Sequence, residues 1–75
     1  MKYVVSYAYD VPHYTDFAVS ARNRKEALRK AKNALRAGTF ADVVGQPDDT
    51  VQGQRVFVLR RCDECDGQLP DIPLR

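Results

Sequence analysis

From Lys2 to Tyr9 the chain alternates with a period of two, placing Tyr3, Val5, Tyr7 and Tyr9 on one side and Lys2, Val4, Ser6 and Ala8 on the other. That spacing predicts a β-strand. Asp10-Val11-Pro12-His13 breaks it, because proline presets a turn dihedral and has no donor for a sheet ladder. A second strand is expected from Tyr14 to Ala21, with Phe17 and Val19 together, and the short connection implies an antiparallel hairpin. At Asn23 the period becomes helical: Ala27, Leu28, Ala31, Ala34 and Leu35 recur on one face. Asn23 and Glu26 fit a capping-box spacing at its start, and Gly38 stands where a left-handed cap would end it.

Beyond Gly38 the pattern weakens. Phe40 to Val44 reads as a short strand or an extended loop packing Phe40 and Val43 inward, and GQPDDTVQGQ is dense in turn residues. Arg55 to Arg61 reads as a strand with Val56 and Val58 on one face and Phe57 and Leu59 on the other, which suggests a central position. The remaining residues hold two prolines and no periodicity, and are expected to form an extended tail. The predicted class is α+β: a small three- to four-stranded, mainly antiparallel sheet with one helix packed on one face, in ββαβ order. Residues 1–61 make the domain and 62–75 an acidic C-terminal tail.

With 75 residues there is room for one core, which in this size range supplies about 3 to 5 kcal/mol of net stability. An apolar fraction of 44% with 29% charged residues suits a folded soluble chain. No apolar run is long enough to span a bilayer, and the N-terminus lacks a secretory-type cleavage site, so no membrane partner and a cytoplasmic location in a bacterial host are expected. The net charge of +2 hides an asymmetry: between Arg22 and Arg36 lie seven basic residues against the single acid Glu26, while the tail carries Asp63, Glu64, Asp66 and Asp71. On a wheel of about 100° per residue, Lys25, Arg29, Lys32 and Arg36 form one stripe opposite the apolar face. Like charges at such spacing repel, a cost that an acidic ligand would remove. Together with Arg22 they are the candidate partner-binding residues, suited to a carboxylate-rich protein or nucleoprotein surface or to phosphates of nucleic acid. The bland account is a solvated face; the lack of interspersed acids argues against it.

Tyr3, Tyr7 and Tyr9 are candidates for packing or for a protein interface, ahead of base stacking, since the strand RVFVLRR lacks the aromatic, glycine-rich signature of small sheet-based RNA binders. Cys62 and Cys65 form a C-x-x-C pair, half of a zinc site. Closing it needs His13 and an acid within one chain, or a second copy in a zinc-bridged homodimer. The neighbouring acids disfavour reactive thiolates, so two incidental thiols in an acidic tail is the simpler reading. No phosphate loop, no nucleophile motif and no second histidine accompany His13, so no enzymatic activity and no catalytic residue are expected, and no cofactor beyond that zinc.

The run FAVSARNRKEALRKAKNALRAG followed by RVFVLRR resembles the layout of very small phage-encoded proteins, some of the anti-CRISPR type, in which a strand leads into an alanine-rich helix and a returning strand. The resemblance spans roughly Lys2 to Arg61 and implies a single-domain, non-enzymatic inhibitor that occupies a surface on a host nucleoprotein complex. It transfers no functional residues. The cationic helix departs from the acidic surfaces of nucleic-acid mimics.

Overall fold

The computed structural model describes residues 1–10, 13–62 and 69–74. Three strands, β1 (Lys2–Tyr9), β2 (His13–Ser20) and β3 (Arg55–Arg61), form one antiparallel sheet in the order β2-β1-β3. Two helices, α1 (Arg24–Ala37) and α2 (Thr39–Val44), and a 3-10 turn at Asp48–Thr50 separate β2 from β3. The α+β class is as expected, whereas the order is ββααβ rather than ββαβ and the sheet has three strands.

β1 is the central strand, and its residues from Tyr3 to Ala8 are buried. β3 is an edge strand, contrary to the reading of its two apolar faces, because β1 lies between it and β2; Phe57 and Leu59 turn toward solvent at 43% and 51% exposure. A β-bulge explains part of this: Val58 pairs with Val5 and Arg60 with Val4, so Leu59 has no partner on β1. The free edge is guarded by α1, whose Arg24 donates from Nη2 to the Val58 carbonyl at 2.7 Å. A charged side chain there satisfies the backbone and discourages another strand from pairing.

α1 begins as its capping residues require. Asn23 has extended backbone and its Oδ1 accepts from the Glu26 N–H at 2.8 Å. It ends at Gly38, whose φ of 76° is left-handed and whose N–H reaches the Ala34 and Leu35 carbonyls. The same glycine turns the chain into α2, so Thr39–Val44 is helical, not the strand or loop expected of it. Phe40 is buried but Val43 is 52% exposed, because helical spacing puts them on different sides.

Both helices cover the face of the sheet that bears Tyr3, Val5, Tyr7, Phe17, Val19 and Val58. Ala27, Ala31 and Ala34 let α1 approach this face closely, and Phe40 fills the space beside them. The Tyr7 ring stacks on Phe40 and on Tyr9, each at 5.2 Å between centroids, and Phe40 meets Phe17 at 5.5 Å. Each such aromatic pair adds about 0.5–1.5 kcal/mol beyond the area it buries. Tyr7 Oη donates to Gln54 Oε1 at 3.1 Å, so its polar end is satisfied.

Residues 69–74 lie against the domain. The Ala18 N–H donates to the Pro70 carbonyl at 2.9 Å, and the Ile72 N–H donates to the Ala18 carbonyl at 3.1 Å, a parallel bridge on the open edge of β2. Ile72 is buried in the main core with Leu74 beside it, while Leu69 packs with Val4 and Cys62 on the other face. Asp71 is paired with Lys2 Nζ at 3.1 Å, on the sheet rather than on the basic helix.

Candidate binding surface

Because α1 spends its alanines on the sheet, its opposite side is committed to solvent. Lys25, Arg29, Lys32 and Arg36 occupy that side, all four exposed, and with Leu28 and Asn33 they line a shallow groove of about 240 Å3. Leu28, half-buried against the core, gives the groove an apolar floor. Arg36 donates to the Asn33 carboxamide oxygen one turn back. Among the described residues, no acid pairs with Lys25, Arg29, Lys32 or Arg36. Four cations along three turns of one helix form a ridge of like charge.

Arg22, expected to belong to this set, is placed elsewhere. It precedes the helix, and its Nε donates to Glu26 Oε2 at 2.8 Å. Lys30 Nζ approaches Glu26 Oε1 at 3.4 Å and also donates to the Ser20 carbonyl at 3.0 Å, tying α1 to the end of β2. The one acid in this basic stretch is therefore spent on the flank of the helix. The Arg22 hydrogen bond, with Lys30 adding to it, holds the Glu26 carboxyl below the usual carboxylate range.

The tyrosines are mostly interior. Tyr7 is fully buried and Tyr3 is 7% exposed, so both serve the chain's own packing and leave a partner almost nothing to touch. Tyr9 is half-buried, stacked between Tyr7 and His13, with the His13 ring at 5.4 Å. His13 Nδ1 lies 2.8 Å from the Asp10 carbonyl, which also accepts from the His13 N–H at 3.1 Å, a turn arrangement. The exposed aromatic side chains are instead Tyr14 and Phe57, which periodicity did not single out.

Cys62 is buried and disulfide-bonded, and would have to be reduced before it could ligate a metal. Cys65 lies outside the described residues. His13 pairs with Tyr9 at one end of β1, whereas the Cys62 N–H donates to the Lys2 carbonyl at the other. Seven residue steps of extended chain separate those ends by about 23 Å. A zinc site joining Cys62 to His13 of the same chain is therefore ruled out by geometry. No group of three or more metal-ligating side chains occurs among the described residues.

No helix among the described residues is long and apolar enough to cross a membrane. No known protein family, curated protein or solved structure matches the chain.

Proposed function

We propose that the chain is a non-enzymatic binding protein that grips an acidic protein or nucleoprotein surface with the ridge of Lys25, Arg29, Lys32 and Arg36. The observation that carries this reading is that these side chains are exposed and, among the described residues, meet no acid, while Glu26 is engaged by Arg22 and Lys30. Cations at i, i+3 and i+4 spacing repel one another by a few tenths of a kcal/mol per pair. A partner that supplies carboxylates or phosphates relieves that repulsion and is attracted over a distance set by salt. The Leu28 floor adds apolar contact, which favours a structured partner over a bare polyanion. The resemblance of the sequence to the layout of small phage-encoded inhibitors points to an inhibitory mode, in which occupying the partner's surface is itself the activity.

Affinity capture from a bacterial lysate, with and without nuclease, tests the reading. A discrete partner should be retained at low salt and released as salt rises; survival of the nuclease step identifies a protein, and loss identifies a nucleoprotein. Retention of no partner at low salt would contradict the proposal.

A further inference from the structure

The cationic ridge of α1 has two unlike flanks. At about 100° per residue, Lys25, Arg29, Lys32 and Arg36 fall within an arc of about 60° and follow one another at axial steps of about 6, 4.5 and 6 Å, a straight row about 16 Å long. On the flank toward β2, Glu26 pairs with Arg22 and with Lys30, which also reaches the Ser20 carbonyl. On the flank toward β3, where Arg24 holds the Val58 carbonyl, stand Leu28 and Leu35, each half-buried against the core with an edge left in solvent. A row of charge is thus bordered by an apolar row on one side and by a carboxylate on the other. Leu28 joins the two rows, since it lines the groove between the cations.

Given the ridge as the binding surface, we infer that what it grips is an acidic amphipathic α-helix of at least about twelve residues, with carboxylates in one row and apolar side chains in the row beside it. A second helix repeats the spacing of the cations, so that each carboxylate meets a charge. An extended chain returns a side chain to the same side every ~6.7 Å and is out of step by the third cation. A phosphate backbone supplies charge but nothing apolar for the exposed edges of Leu28 and Leu35. Glu26 repels carboxylates from the β2 flank, which keeps the partner's acids on the ridge and turns its apolar row toward the leucines. The spacing of the cations reads the same in both directions, and the antiparallel sense brings opposite ends of the two helix dipoles together. In that sense, leucines three and ten positions after the first acid of the partner fall on the Leu28 side.

The test is fluorescence anisotropy with labelled alanine- and glutamine-based peptides of about 18 residues, long enough to form a helix on binding. One bears glutamates at i, i+4, i+7 and i+11 with leucines at i+3 and i+10; a second has the same composition with the acids scattered around the helix; a third replaces the leucines of the first by glutamine. A DNA duplex of similar length is the fourth probe. In about 50 mM salt, where charge contacts are strong, the striped peptide should bind and gain helicity by circular dichroism, and the scattered peptide and the duplex should bind at least tenfold more weakly. Leu28→Ala should weaken the striped peptide about three- to tenfold and leave the leucine-free peptide unchanged, a coupling that general loss of charge attraction does not produce. The inference is overturned by scattered and striped peptides of equal affinity, by a duplex that binds as tightly as the striped peptide, or by equal effects of Leu28→Ala on the two striped peptides. If those probes bind and Lys25→Gln with Arg29→Gln releases them, the ridge remains the binding surface and only the helical partner is lost. If no probe binds, or the charge variant binds every probe like wild type, the ridge falls with it.

Discussion

Phe40 contributes its whole ring to the core, between Tyr7 and Phe17. Truncating a buried phenylalanine costs about 3–5 kcal/mol, as much as the net stability of a chain this size. Phe40→Ala is therefore expected to leave the protein largely unfolded at 37 °C by circular dichroism, whereas Phe40→Leu should retain a cooperative transition; a stable Phe40→Ala protein would contradict the core described. Glu26 makes a subtler prediction. Its carboxyl binds a proton more weakly when folded, because Arg22 and Lys30 hold the charged form. Its contribution to stability is then present in full above the ordinary carboxylate range and is lost as pH falls through that range and below it. Denaturation of wild type and Glu26→Gln should show a small difference that is constant near neutral pH and shrinks in acid; Arg22 is largely solvated, so the difference should also fall with salt. The helix stripe was legible in the sequence because a fixed period assigns each side chain an angle. Arg22 was not, since it lies before the first turn, where the wheel has no meaning.

Among the elements, β1, β3 and α1 follow the bounds that their patterns predict, because each is long enough for its period to repeat. α2 is six residues long, less than two turns, and its existence depends on the backbone sign at Gly38. Which strand is central was not legible either: an apolar pair such as Phe57 and Leu59 reads the same at an edge as in the middle, and only the pairing of β1 with both neighbours decides it. The register of β1 with β3, with the helices on one face, puts Phe57 on the side away from Tyr3 and Tyr7. The tail shows the opposite problem. Ile72 and Leu74 flank a proline without periodicity, yet Ile72 enters the main core. Ile72→Ala is expected to destabilise the domain by about 2–5 kcal/mol, seen as a lower urea midpoint with an unchanged slope. A midpoint within error of wild type would show that residues 69–74 do not support the fold.

At the scale of the molecule, the two faces of the sheet are covered differently. One is sealed by α1, α2 and Ile72, and the outer side of α1 then becomes a ridge of like charge that no acid among the described residues neutralises. Such a ridge weakens the fold slightly, so a fold maintained for its own sake would gain from its removal. Replacing Lys25, Arg29, Lys32 and Arg36 together by glutamine should leave thermal stability equal to or above that of wild type, because glutamine keeps helix propensity while the repulsion disappears. The same variant gives the most direct test of the ridge as the binding surface: its retention of the captured bacterial partner, measured beside wild type at equal loading and low salt. Loss of at least nine-tenths of the partner by a fully folded variant is the predicted result, and undiminished capture would contradict the account.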